Sequence, residues 1–433
     1  MVRLSRAQQQ EHTRAAVLAA ARAEFAERGY AATKVDRIAE RAELTRGAVY
    51  SNFPSKRALY LAVLVDLVEH GATDGAPATV PAAAPDTPPA LASPASLGES
   101  LGAFARAWLE RLPLTGEEPA LGQVQLRSLT ELLDDEAFRA AFGQVTRLEA
   151  LLLALALEAR EAAGAPAGPG AGTGTVRQVR RAELVLRLLD GPGASVDPAL
   201  AFGDPFDVVQ ACAHLGGLPL ADTWAPPHLP YVAPARVCRD PWAPPGEVRD
   251  LITGRPVDCA QDGVFVLLGS RRLAAAEEAV RAARPGDRVT VALATADPAE
   301  TGRLVRLRIE DFTRCLRGVF APEAGPSFRL VLDEHGLLAS ALGVPDADDS
   351  TEHAVRVRDG VVVARAHGRG AGHAAGTAGG PGPDTSRTAP PGTSRTAAGT
   401  SRTTPDASRT APGTSRTAAA PRTAADTSRG AAS

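Results

Sequence analysis

The stretch "ELTRGAVYSNFPSK", residues 43–56, sets two rings, Tyr50 and Phe53, three residues apart in a 433-residue chain with only 4% aromatic residues. A basic residue stands on either side, Arg46 before them and Lys56 after. The Thr45 hydroxyl can cap a helix start, and Pro54 can end the helix. The spacing therefore predicts a short helix from about Arg46 to Asn52. Val49 and Phe53, four apart, face inward on it, while Tyr50, one residue round from Val49, points outward.

Upstream, "EHTRAAVLAAARAEFAER" (11–28) reads as one helix with an apolar seam of Leu18, Ala21 and Phe25, and Gly29 stops it. Thr33 is expected to cap a second short helix whose inner face is Val35, Ile38, Ala39 and Ala42. A brief turn at Glu43-Leu44 joins the two short helices, and "KRALYLAVLVDLVEH" begins a longer one. Two short helices across a tight turn, the second led by polar residues, form a helix-turn-helix, whose second helix fits the DNA major groove. Charge agrees with this reading. Residues 1–60 balance to +5 and residues 371–433 to +4, leaving −12 for the body, within a net charge of −3. A basic head on an acidic body suits a polyanion-binding module.

The residues "AARAEFAERGYAATKVDRIAERA" (20–42) and "TRGAVYSNFPSKRALYLAVL" (45–64) resemble the DNA-binding domain of the TetR/AcrR family of regulators, over roughly 10–65. The resemblance implies that Thr45, Arg46 and Gly47 open the recognition helix and that Tyr50, Ser51 and Asn52 touch backbone or bases. It implies that Thr33 and Lys56 hold flanking phosphates, with Lys34 beside them, and that Ile38, Ala39, Val49 and Phe53 form the scaffold. Arg46 is the candidate for a bidentate contact to guanine. Glu43 stands where the family commonly has Gly in the turn. If that residue takes positive φ, a side chain there costs on the order of 1 kcal/mol.

The expected fold class is multidomain. An all-α half holds the three-helix head (1–65) and a helical dimerisation and effector-binding domain (66–220), with a Pro-rich disordered loop at 71–96. Helical seams run over 97–112, 121–163, 180–190 and 205–218. Phe104, Trp108, Phe138 and Phe142 are candidates for an effector pocket. One short helix reads only a few base pairs, so a homodimer on two half-sites of a double-stranded operator is expected, with an unknown small-molecule effector.

After 250 the texture changes to short β-rich runs at 263–270, 288–295 and 327–334, with helical patterns between them and a hairpin signal at Asp359-Gly360. The order β-α-β-α-β-α-β-β over 260–368 resembles a thioredoxin-like domain (250–369) of the peroxiredoxin or thiol-oxidoreductase kind. That family keeps reactive thiols after the first strand, where this chain reads "LLGSRRLAAAEEAV" with Ser270, Arg271, Arg272 and Leu273. Its cis-proline position reads "DDSTEHAV". Without a thiolate there is no disulfide exchange, so no catalytic residue, metal or cofactor is read and the domain is expected to sense or to recruit. The alternative is a redox-sensing regulator or thiol-oxidoreductase in which Cys259 or Cys315 supplies the thiol, with Arg314 and Arg317 beside Cys315. Cys212, Cys238, Cys259 and Cys315 form no CxxC pair, which excludes a disulfide framework and an ordinary zinc site. His335 and His353 read as structural. No apolar run of membrane-spanning length and no signal peptide is read, so a cytoplasmic protein without membrane contact is expected. Near copies of "TSRTA" recur at 385, 393, 400, 407 and 414, and the tail (370–433), lacking large apolar residues, is expected to be disordered.

Overall fold

The computed structural model describes residues 5–74, 96–110, 129, 132–133, 135–164, 177–193, 204–320 and 327–379. Of the expected loop at 71–96, residues 71–74 instead continue a helix and Ser96 caps the next one, while 75–95, the Gly/Ala/Pro run at 165–175 and the tail from 380 lie outside the described residues.

Four helices open the chain: α1 (Arg6–Ala32), α2 (Val35–Arg41), α3 (Arg46–Asn52) and α4 (Lys56–Asp74). Helix α1 starts earlier than the seam suggests, because Ser5 and Gln8 close a capping box. It breaks where expected, at Gly29 with φ 73°, then makes one more turn. Thr33 is not the cap of α2. It ends α1, its hydroxyl donating to the carbonyls of Glu24 (3.1 Å) and Gly29 (2.7 Å), and Lys34 precedes α2 without a side-chain cap.

Helix α5 (Leu97–Leu109) and the helices Glu136–Gly164, Val179–Gly193 and Pro205–Leu215 make the second helical layer. Ser96 and Glu99 form a second capping box, and Asp204 caps the last of these helices. Glu136–Gly164 is long and apolar enough to cross a bilayer by composition, yet 56% of its most apolar window is buried within the protein. It is a core helix.

A six-stranded sheet follows, in the order β1-β8-β7-β4-β5-β6: β1 (Arg236–Pro241), β4 (Gly263–Gly269), β5 (Val289–Ala294), β6 (Phe328–Leu332), β7 (Glu352–Arg358) and β8 (Val361–His367). A two-stranded ribbon of β2 (Val248–Arg249) and β3 (Pro256–Val257) lies between β1 and β4 along the chain. Strands β4, β5 and β6 are parallel, and β7, β8 and β1 run antiparallel beside them. Helices Ala276–Ala282, Arg303–Val319 and Leu337–Leu342 connect the strands in the expected succession, and the hairpin turns at Asp359-Gly360, both at positive φ. Strand β1 falls in the Pro- and Trp-rich 219–250 segment, which reads from the sequence as extended chain.

Two boundaries differ from expectation. The change near 220–250 separates two kinds of secondary structure but not two cores. One apolar cluster contains Phe104, Trp108, Leu148 and Leu153 from the helices together with Val266, Ile309 and Phe312 from the α/β part. Inside it Arg308 reaches across to Glu149 through bonds of 2.9 and 2.6 Å, with side chains 6% and 1% exposed. The ordered chain also continues past 370, as helix Ala371–Thr377. Its small residues let it come close to helix Ala276–Ala282. A methyl added at Gly372 would sit 2.9 Å from the Ala279 side chain. The fully buried Arg356 holds its end by donating to the carbonyls of Ala375 and Gly376. Close backbone packing replaces large apolar side chains there.

Candidate nucleic-acid interface

The head is built around Ile38, Ala39, Val49 and Phe53, each no more than 4% exposed. Phe25 and Tyr60 meet edge to face at 4.8 Å beneath them. Thr45 caps α3, its hydroxyl accepting from the Ala48 N–H at 3.2 Å, and Phe53 closes the helix through its N–H to the Val49 carbonyl at 3.0 Å. The anchors fix which face looks out. Thr45, Arg46, Gly47, Tyr50 and Ser51 are exposed, Asn52 is half-buried, and Tyr50 is 36% exposed despite its size. Glu43 occupies the turn with φ 54°, the left-handed region that penalises a side chain.

The outward residues hold each other loosely. The Arg46 guanidinium lies 5.4 Å from the Tyr50 ring centroid and 3.3 Å from Asp36, in an ion pair whose two side chains are 60% and 56% exposed. Tyr50 and then Asp36 favour its charged form. A phosphate or base edge can replace such partners at little cost, since exposed pairs contribute about 0–1 kcal/mol. Ser51 donates to the Ala48 carbonyl at 2.9 Å, as does the Asn52 amide. Lys56, half-buried, lies over the Tyr30 ring at 4.5 Å and donates to the Ala31 carbonyl at 3.2 Å. Lys34 is exposed.

Thr33 is the exception among the expected contacts. It is 2% exposed and its hydroxyl points into α1, so its side chain braces the α1–α2 junction rather than facing solvent. Sequence reasoning missed Asp36 and Tyr30, which hold Arg46 and Lys56. Asp36, in the first turn of α2, was the one with a visible signal.

The candidate effector residues do not converge. Phe104 and Trp108 pack with Phe312 at 5.7 and 5.8 Å in the large shared core. Phe138 belongs to the core of the head under Arg57 (4.6 Å), and Phe142 lies under Arg308 (4.9 Å). Cavities of about 320 Å³ are found elsewhere, one lined by Arg249, Val331, Asp333 and Leu337 and another by Asp262, Asp287, Arg356 and Asp359.

At the expected thiol position the Ser270 side chain is 2% exposed and donates to Asp349 at 2.9 Å, and Arg272 pairs with the buried Glu352. Cys259 is buried, and burial together with Asp258 pushes its thiol up to about 11. Arg314 and Arg317, read as flanking Cys315, donate to the carbonyls of Val68 and Ile252. Burial, with Arg365 and His367 nearby, lowers His353 to about 4. Among the described residues no group of three or more His, Cys, Asp or Glu could hold a metal.

A capped, two-anchor helix with an exposed polar and basic face, crossed by a second short helix, is a helix-turn-helix nucleic-acid head. Residues 17–63 match the family model described as bacterial regulatory proteins, tetR family, so this segment is a TetR-type DNA-binding domain. Two crystal structures of NalD, the secondary repressor of the MexAB-OprM multidrug efflux pump in Pseudomonas aeruginosa, align at 23% identity over 50% of this chain and 100% of theirs. Their TM-scores are 0.28 and 0.27, too low to build on. No curated protein matches the chain.

Proposed function

We propose that the protein is a non-enzymatic transcriptional regulator, a homodimeric, ligand-responsive repressor that binds a palindromic operator through α3. The observation that carries this reading is the outward row Arg46, Gly47, Tyr50 and Ser51 on a helix pinned from behind by Val49 and Phe53. Arg46 is the base-reading residue, Tyr50 and Ser51 contact backbone, and Lys34 and Lys56 flank them on phosphates. Exposed apolar residues on and just after the later helices, Leu188 (40%), Phe206 (73%) and Leu218 (42%), support a contact with a second copy.

The α/β part supports a thioredoxin-like reading through its strand succession and closing hairpin. The filled thiol position argues for a module that positions or recruits rather than exchanges disulfides, and a redox role finds no activated thiol in Cys259. The test is operator binding by the full chain and by the Arg46→Ala/Tyr50→Ala double variant across a salt series. Loss of specific binding supports the reading. Retained affinity with an unchanged salt slope would remove those contacts.

A further inference from the structure

We propose that the α/β module positions the DNA-binding head, through an unbroken hydrogen-bonded chain from the end of its sheet to the first turn of α4. This rests on reading the head as a DNA-binding element. The chain starts at Asp349, whose carboxylate accepts from the hydroxyls of Ser270 and Thr295, both at 2.9 Å, and from the Ala296 N–H at 3.2 Å. The site is closed from behind. The Arg271 N–H donates to the Asp349 carbonyl at 2.9 Å, and Gly269 leaves no room for a Cβ, which would fall 2.3 Å from the Asp349 carbonyl carbon.

From Thr295 the chain runs forward. Its hydroxyl oxygen accepts from the Asp297 N–H (3.2 Å), and the Asp297 carboxylate accepts from the Glu300 N–H (3.0 Å), capping the turn Pro298–Gly302. The Glu300 carboxylate then accepts from the Ser55 hydroxyl and from the Arg57 guanidinium. Ser55 in turn caps α4, its oxygen accepting from the Ala58 N–H at 2.9 Å. Glu300 and Arg57 are 11% and 21% exposed at the side chain, so this is a sheltered, charge-assisted grip.

The next turn repeats the grip by other means. Arg303 donates to the Ala58 carbonyl at 3.0 Å and lies 5.5 Å from the Phe53 ring centroid, while Leu304 and Leu307 enter the apolar core of the head. Phe53 closes the recognition helix and Ser55 opens α4, so the module holds the junction that orients α3. No step of this chain touches the residues proposed to meet DNA. Glu300 and Asp349 are therefore positioning residues, and whatever shifts the end of the sheet biases the head.

The experiment uses the full chain with Glu300→Gln, Asp349→Asn and the double variant. Each is measured for affinity to a duplex selected from a random pool, for the salt slope of that affinity, and for hydrogen exchange of residues 46–60. Each single variant is expected to weaken binding about tenfold with the slope unchanged and to speed exchange in 46–60. The double variant is expected to lose less than the two single losses added. Wild-type exchange and affinity in Asp349→Asn would overturn the proposal even if Glu300→Gln damages folding. A slope reduced by about one would also overturn it, by making Glu300 a determinant of phosphate contacts themselves. If the wild-type chain selects no duplex, the DNA reading fails separately, and exchange in 46–60 still decides the coupling.

Discussion

Two arginines follow turns that lead into helices in this molecule, and they are held in opposite ways. Arg46 opens the recognition helix with its side chain 60% exposed, beside an Asp36 that is 56% exposed. Arg272, just beyond β4, is 30% exposed and bound to Glu352, whose side chain is 2% exposed and also accepts the Gly370 N–H at 2.8 Å. An exposed pair exchanges partners at little cost, whereas breaking a buried one leaves a stranded charge. The head keeps its polar groups available to a polyanion. The corresponding corner of the α/β part has spent its own on the fold.

That contrast can be broken most forcefully at the buried pair joining the two halves. Glu149→Ala strands Arg308 in the shared core and is expected to cost about 3–5 kcal/mol. In urea unfolding it should shift one common transition. Two transitions, only one of them shifted, would mean that the halves do not share a core. Arg272→Ala, which uncovers the buried Glu352, is expected to cost about 1–3 kcal/mol of stability and to lower the melting temperature. Arg46→Ala should do the reverse, weakening specific DNA binding by about 1–3 kcal/mol with melting unchanged. Equal stability losses in the two variants would erase the distinction.

A pH effect should appear where the head meets the α/β part. Burial, and then the neighbouring Glu69, raises the Glu310 carboxyl from 4.5 to about 7. Across that window the folded chain binds a proton that the unfolded chain releases, so this group's contribution to stability falls as pH rises. Glu310→Gln should flatten that slope when melting is compared at pH 5 and pH 8. The smallest effect is expected in the turn, where Glu43→Gly should stabilise the head by about 1 kcal/mol less the entropy glycine adds to the unfolded chain. Denaturant melts of the two proteins would check it.

The head was legible because its logic is local. Cap, anchors and outward ring lie within residues 45–53, and helix periodicity assigns their faces without long-range information. The strand succession after 260 was legible for the same reason. Thr33 was misread because a threonine before a helix looks the same whether it caps forward or bonds back to Glu24, and only the kink at Gly29 decides. Helical spacing marks the aromatic candidates as a buried face but does not say what that face meets, and for Phe104 and Trp108 the neighbour is Phe312. Glu300 carried no signal at all, since its partners Ser55 and Arg57 lie more than 240 residues away.

The central claim is that α3 enters a duplex groove, and selection of bound sites from random DNA by the full chain tests it most directly. Enrichment of one motif with two inverted half-sites about a helical turn apart, lost with Arg46→Ala, is expected. Recovery of unenriched DNA, or of the same motif by the variant, would contradict it.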